Sequence, residues 1–108
     1  MIIYNITVNI EESVENEWLI WMKQIHIPKM MKTGIFTDSK MSKVLVEEQM
    51  GGITYSIQYS CLNNEKLTDY QTRYAPKLEE EHAAKYDGKF VAFKTLLEVV
   101  SEFKYEKS

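Results

Sequence analysis

The fold of this chain is decided by residues 51–61, which read GGITYSIQYSC. Two adjacent glycines favour a tight turn, because glycine readily adopts the positive φ angles that hairpin turns need. After the glycines, apolar and polar residues alternate, with an isoleucine or a tyrosine at each odd position from 53 to 59. Side chains of a strand point alternately to opposite faces. The stretch therefore predicts a turn followed by a strand with one apolar face.

Towards the N-terminus, residues 35 to about 48 predict the partner strand of this hairpin, and residues 2–10 alternate cleanly enough to predict a first strand. Between these strands, Ser13 is a candidate N-cap for a helix whose apolar residues recur at helical spacing. Pro28 predicts a kink or a boundary in that helix, because proline lacks a backbone N–H and clashes with the preceding turn. The expected inward stripe of the helix consists of Val14, Trp18, Trp21, Met22 and Ile25.

Towards the C-terminus, apolar residues at spacings of three and four predict a second helix over 67–78 and beyond. Pro76 is expected to begin the second half of this helix, since proline is favoured in a first helical turn. Asp87 and Gly88 predict a turn into a last strand over 90–103, and residues 104–108 are expected to be frayed.

The resulting order of elements is strand, helix, strand, strand, helix, strand, which is typical of a ferredoxin-like βαββαβ sandwich of the α+β class. We therefore expect a four-stranded antiparallel sheet with two kinked helices on one face. A length of 108 residues suits a single domain spanning residues 1–108. This fold hosts enzymes, ligand sensors and RNA-binding modules alike, so the fold by itself assigns no function.

Composition excludes several classes of function. A formal net charge of −3 and a pI near 5.4 argue against binding of a nucleic-acid backbone. No apolar run approaches the ~20 residues needed to cross a bilayer, and the N-terminus carries no pattern of a signal peptide. The single cysteine, Cys61, allows no disulfide within one chain and is expected to be a small buried hydrophobe. We expect a cytoplasmic protein that does not act at a membrane.

The first and third strands each carry a second, polar face. On this face lie Asn5 and Thr7 of the first strand and Ser56 and Gln58 of the third. One interpretation is an antiparallel sheet with one solvated side. The other is that two copies of the chain meet across these faces and form a homodimer. The residue pattern leaves both interpretations open.

The opposite side of the sheet is a candidate binding cleft, because aromatic side chains with polar groups are common where a cleft is partly wet. His26 lies four residues after Met22, and His82 lies four residues after Leu78, so each continues an inward helical stripe. The alternative is that the aromatic residues fill the core and each histidine bonds to a carbonyl. No metal site is expected, because the acidic run before His82 points to several helix faces. Candidate ligand-binding residues are Asn5, Trp18, Met22, His26, Tyr55, Tyr74 and His82.

Four segments together resemble a known family: residues 1–8, residues 18–28, residues 51–55 and residues 74–93. The family is a group of short bacterial proteins known as domain of unknown function 4286, and its plan is similar to that of the dimeric α/β-barrel superfamily. The resemblance implies a homodimer joined through the sheet face and a ligand that enters between helices and sheet. It implies no activity, since none is assigned to the family.

Haem-degrading monooxygenases of that superfamily are similar in placing an asparagine on the first strand and a histidine on the second helix. Asn5 or Asn9 matches the asparagine, and His82 matches the histidine. Their tryptophan lies outside the first helix, whereas both Trp18 and Trp21 lie on it here, which argues against haem chemistry. No cofactor is therefore expected.

The favoured function is binding of a small apolar or aromatic molecule by a homodimer. In an enzymatic version His82 is the acid or base, and Tyr74 or Asn5 orients the substrate. The alternative function is a non-catalytic ligand-sensing or protein-interaction module, and a lower alternative, which the resemblance implies, is a cofactor-poor or haem-related monooxygenase.

Overall fold

The computed structural model describes residues 1–45 and 51–106. The sheet is antiparallel and has the strand order β2-β3-β1-β4. Its strands are β1 (Ile2–Ile10), β2 (Phe36–Lys43), β3 (Ile53–Cys61) and β4 (Phe90–Glu98). The helices are α1 (Glu15–Trp21), α2 (Ile27–Lys32), α3 (Asn64–Arg73) and α4 (Ala75–Lys85), with a 3-10 turn at Glu12–Val14 and a π-helical turn at Met22–His26.

The central strands are β1 and β3, as the βαββαβ order requires. Ile6 of β1 lies opposite Ile57 of β3 on one side and opposite Lys94 of β4 on the other. All helices follow β1 or β3 in the chain, and the buried core lies between them and one face of the sheet. The predicted ferredoxin-like arrangement is confirmed.

The core is built from the apolar positions of the two central strands. Tyr4, Val8 and Ile10 of β1 and the odd positions 55, 57 and 59 of β3 are all buried. Trp18 packs its ring 5.2 Å from the ring of Tyr55 and is fully buried. The strict alternation of these strands therefore separates a helix-covered face from an open face.

Both prolines lie where a helix begins again. Pro28 is in the first turn of α2, directly after the π-helical turn, and Pro76 is in the first turn of α4. A proline in the first turn leaves no helical hydrogen bond unmade, because the first N–H groups of a helix have no partner in it. At the start of α3, the Asn63 side chain accepts a hydrogen bond from the Lys66 N–H at 2.9 Å.

Two predictions about the first helical segment are wrong. Ser13 is not an N-cap, because the 3-10 turn already begins at Glu12 and carries no side-chain cap. Ile25 is not part of an inward stripe, since its side chain is 43% exposed whereas His26 beside it is buried. The π-helical turn at Met22–His26 is wider than an α-helical turn, so the side chains of this segment do not follow α-helical spacing.

The last strand is shorter than predicted. β4 ends at Glu98, which pairs with Ile2 at the start of β1, instead of at residue 103. The Val99 N–H makes one further bond to the Met1 carbonyl, and residues 99–106 form no helix or strand. Within β2, the predicted end near residue 48 lies outside the described residues. Gly51 and Gly52 have φ angles of +83° and +74°, as the hairpin prediction requires.

Among residues 1–45 and 51–106, no helix has the length and apolar character needed to cross a membrane.

Candidate functional site

A cavity of about 230 Å³ lies between the helices and the covered face of the sheet. Its walls come from β1, β3 and β4 on one side and from the π-helical turn, α3 and α4 on the other. Most of the wall is apolar. The apolar lining includes Ile6, Val8, Ile57, Leu78, Phe90 and Ala92.

The cavity exists because the helical layer does not cover β4. On the helix-facing side of β4, Ala92, Lys94 and Leu96 are exposed. Ala83 of α4 and Ala92 of β4 both line the cavity and are both exposed, and neither side chain is long enough to fill the space between these elements. The mouth of the cavity therefore lies between α4 and β4.

A buried hydrogen bond fixes the tautomer of the neutral His82 ring. The Trp18 indole N–H donates to His82 Nε2 at 2.9 Å. A nitrogen that accepts a hydrogen bond carries no proton, so the neutral ring has its proton on Nδ1. Burial lowers the pKa of His82 from 6.5 to about 4, so the ring is neutral at pH 7. His82 thus presents Nδ1–H as a hydrogen-bond donor, and no described residue accepts from it.

His26 lies against His82 on the same side of the cavity. Its ring stacks on Trp21 at a centroid distance of 5.1 Å and meets the His82 ring at 5.8 Å. Burial lowers the pKa of His26 to about 4, and the neighbouring His82 lowers it further because two positive rings would repel each other. Both rings are therefore neutral at pH 7, and the nearby Glu81 carboxylate only partly offsets the lowering of the His26 pKa.

Tyr59 of β3 forms part of the cavity wall. Its side chain is fully buried, and burial raises the pKa of its hydroxyl well above the usual range. Within the described part of the chain, three buried side-chain polar atoms have no hydrogen-bond partner: His26 Nδ1, Tyr59 Oη and Tyr86 Oη. His26 and Tyr59 line the cavity, whereas Tyr86 does not. Buried polar groups are normally paired, so these positions are unusual.

Charges at the cavity are confined to its mouth. Lys94 of β4 forms an ion pair with Glu79 of α4, and both side chains are nearly half exposed. The Tyr4 hydroxyl donates to the same Glu79 carboxylate at 3.4 Å. Because the two charges balance each other, the mouth carries no net charge from this pair.

The structure brings together three of the predicted binding residues. Met22, His26 and His82 line the cavity, and Trp18 lies behind His82 as its hydrogen-bond donor. Tyr74 lines a different, more open hollow of about 280 Å³, next to Arg73.

Two other predicted residues lie away from the cavity. Asn5 lies on the open face of the sheet, where its Oδ1 accepts from the Ser56 hydroxyl at 2.7 Å. The Tyr55 hydroxyl donates to Glu15 Oε2 at 2.6 Å, and Tyr55 does not line the cavity.

Sequence reasoning did not select several residues of the cavity wall. Tyr59 continues the alternation of apolar residues in β3, and this pattern predicts only that the side chain is buried. Glu79 belongs to the acidic run before His82, whose side chains are expected to point to several helix faces. Its pairing with Lys94 depends on how α4 lies beside β4, and no spacing in the sequence indicates that contact. No group of three or more histidine, cysteine, aspartate or glutamate side chains is placed to hold a metal ion among the residues described.

A comparison with known protein families shows which family this chain belongs to. The chain matches Domain of unknown function (DUF4286) over residues 1–100. This chain belongs to that family. Membership in DUF4286 confirms the resemblance drawn from the sequence, and no curated protein is significantly similar to this chain in sequence.

Solved structures show the fold of this DUF4286 member in other proteins. A dimeric ferredoxin-like protein from an uncultured marine organism superposes with a TM-score of 0.72 at 15% identity, covering 97% of this chain and 100% of the other. An ethyl tert-butyl ether d (ethd) family protein from Bacillus halodurans gives 0.68 at 18% identity, covering 93% and 100%.

A Bacillus cereus protein proposed to be an antibiotic biosynthesis monooxygenase gives a TM-score of 0.67 at 18% identity, covering 96% of this chain and 97% of the other. At these identities the likeness concerns the fold, and it includes a structure described as dimeric.

Proposed function

We propose that this protein is a homodimer that binds a small uncharged molecule in the cavity between its helices and its sheet. The observation that carries the proposal is the cavity itself: about 230 Å³, mostly apolar, with His26, Tyr59 and His82 in its wall. Ligand pockets are typically concave and apolar with a few placed polar groups. The geometry of this cavity fits that description.

The wall favours an uncharged ligand. His26 and His82 are neutral at pH 7, and the charges at the mouth belong to the paired Glu79 and Lys94. A charged ligand would lose its hydration in this cavity without meeting an opposite charge, which is costly. A neutral, mainly apolar molecule loses little hydration and gains contacts with the apolar wall.

The wall also favours binding over acid–base catalysis by His82. A general base works best with a pKa near the operating pH, whereas the pKa of His82 is lowered to about 4. Its Nε2 is already occupied by the Trp18 N–H. His82 in this arrangement is suited to donate a hydrogen bond from Nδ1 and not to accept a proton from a substrate.

Filling the mouth of the cavity is expected to prevent binding. Ala83→Phe places a large side chain at the mouth, because Ala83 lines the cavity and is exposed. We expect it to weaken binding of the neutral probes indane and 1-indanone at least tenfold, measured by equilibrium dialysis. Ala84→Phe is the matched control, since Ala84 is exposed on the same helix but does not line the cavity, and it should leave the affinity unchanged. If neither probe binds to the unmodified protein, the proposed function is wrong.

The open face of the sheet supports the homodimer. Along β4 this face carries exposed apolar side chains: Val91 is 71% exposed, Phe93 61% and Leu97 41%. Exposed apolar patches of this kind mark interaction surfaces. The polar groups beside them pair with each other, since Asn5 accepts from Ser56 and donates to Thr7 at 3.3 Å. An apolar strip beside an internally paired polar region is suited to contact a second copy, because little polar surface would be left unpaired.

A charge on the open face is expected to dissociate the dimer. Leu97 lies opposite Ile3 on this face, whereas the neighbouring Leu96 points to the helix-facing side opposite Tyr4. Leu97→Asp should raise the dimer dissociation constant at least tenfold, about 1.4 kcal/mol, because the carboxylate would be buried without a partner. Leu96→Asp, the matched control, should not change it. Analytical ultracentrifugation measures both, and a monomeric unmodified protein at micromolar concentration would contradict the proposed dimer.

A further inference from the structure

Two polar groups in the cavity wall, His82 and Tyr59, can each donate a hydrogen bond. His82 carries its proton on Nδ1, because Trp18 occupies Nε2 at 2.9 Å. The Tyr59 hydroxyl always carries a proton in its neutral form, and it has no partner in the described part of the chain. Among the described residues that line the cavity, Glu79 at the mouth is the only carboxylate, and it is paired with Lys94. The described wall thus offers two donors to a ligand that accepts hydrogen bonds, beside His26, whose Nδ1 is buried without a partner.

The size of the cavity suits a ligand of about two fused rings. A dry protein cavity of ~150 Å³ lined by apolar side chains holds a benzene molecule. Scaling from this case, a cavity of about 230 Å³ holds roughly nine non-hydrogen atoms. Aromatic rings also form part of the wall, among them Tyr59, His82 and Phe90. A flat aromatic ligand matches both this volume and a wall that contains such rings.

We propose that the ligand is an uncharged aromatic molecule of about two fused rings bearing a carbonyl-type oxygen, which accepts a hydrogen bond from His82 Nδ1–H or from the Tyr59 hydroxyl. This inference rests on the proposed function, because it names the ligand class of the same cavity. Trp18 is a positioning residue in this arrangement, since it acts through His82 by holding the ring in the donor form.

The experiment compares two molecules of nearly equal shape. Indane has two fused rings and no polar atom, and 1-indanone is the same skeleton with one carbonyl oxygen. The measured quantity is the ratio of their affinities, determined by equilibrium dialysis at pH 7.5. We expect the unmodified protein to bind 1-indanone at least tenfold more tightly than indane.

Three variants assign the preference to residues. His82→Phe and Tyr59→Phe each keep an aromatic ring and remove a donor. Tyr86→Phe is the matched control, because the Tyr86 hydroxyl is also buried without a partner but does not line the cavity. We expect the ratio to fall below threefold in His82→Phe or in Tyr59→Phe and to stay at the unmodified value in Tyr86→Phe. Because indane binding is measured on each variant, a general loss of the cavity is separated from the loss of a donor.

The outcomes separate the inference from the proposed function. If both probes bind equally well to the unmodified protein, the cavity binds small molecules but the ligand class is wrong. If the preference for 1-indanone persists in both His82→Phe and Tyr59→Phe, these donors do not contact the oxygen and the inference is wrong. If neither probe binds to the unmodified protein, the proposed function and the inference fail together.

Discussion

Lowering the pH from 7.5 to 5 is expected to reduce the free energy of unfolding by about 2 kcal/mol for each of the two buried histidines. The reason is that His26 and His82 have their pKa lowered to about 4 in the folded protein. In the unfolded chain both rings regain the ordinary value of about 6.5. At pH values between about 4 and 6.5, the unfolded chain therefore binds more protons than the folded protein does. The stabilisation is therefore complete above pH 6.5 and is lost as the pH falls towards 4.

Urea unfolding at several pH values between 5 and 7.5 measures this effect. The control is the double variant His26→Phe/His82→Gln, which keeps a stacking ring beside Trp21 and an acceptor for the Trp18 N–H but has no titratable group at either position. Its free energy of unfolding should be nearly constant above pH 5. If the unmodified protein and the double variant lose stability equally over this range, the histidines are not buried in their neutral form.

Replacing His82 by Phe is expected to lower the free energy of unfolding by about 2 to 3 kcal/mol. The ring volume is retained, so the loss comes from the Trp18 indole N–H, which is fully buried and donates to His82 Nε2 at 2.9 Å. Without that acceptor the N–H is left unpaired in the core. His82→Gln should lose much less, because its amide oxygen offers an acceptor in nearly the same place.

A double-mutant cycle with Trp18→Phe isolates this hydrogen bond. In the Trp18→Phe background there is no indole N–H to leave unpaired, so His82→Phe should cost at least about 1 kcal/mol less than it does in the unmodified protein. Chemical denaturation of the four proteins measures the coupling. A cost that is equal in both backgrounds would mean that His82 contributes only by packing.

Much of the fold was predictable because two strands separate their faces so clearly. In β1 and β3 nearly every second residue is apolar, and the structure buries those residues under the helices. The two prolines also indicated correctly where the helices are interrupted. The end of β4 was not predictable, since the residues after 98 are as apolar as those before, whereas the pairing with β1 ends at Glu98, opposite Ile2.

The candidate site was predictable only where it depends on helical spacing. Met22, His26 and His82 line the cavity, as spacings of four residues suggested. Tyr74 does not, because the helix breaks there: its φ and ψ angles of −120° and −38° separate α3 from α4, so the phase of one helix does not continue into the other. Asn5 was included through a resemblance, although the alternation of β1 already placed it on the open face.

Other features of the site depend on tertiary contacts that no local pattern encodes. The ion pair between Lys94 and Glu79 joins β4 to α4, and the hydrogen bond from Trp18 to His82 joins α1 to α4. The predicted cytoplasmic location and bacterial origin rest on the sequence alone and stay predictions.

The π-helical turn at Met22–His26 controls which side chains face the cavity, because it changes the rotation of the helix about its axis. In a regular α-helix each residue advances about 100°, so His26 would lie about 80° past Trp18. A π-helical turn contains roughly one residue more, so four residues fall short of a full circle there, whereas four α-helical residues overshoot it. The two deviations nearly cancel, and Trp18, Met22 and His26 stay in one line and are all buried. The protein thereby turns the apolar Ile25 outward and brings a titratable ring to the cavity. If the same residues formed a regular α-helix, Ile25, seven residues after Trp18, would lie within about 20° of Trp18 and would take the inward position instead of His26.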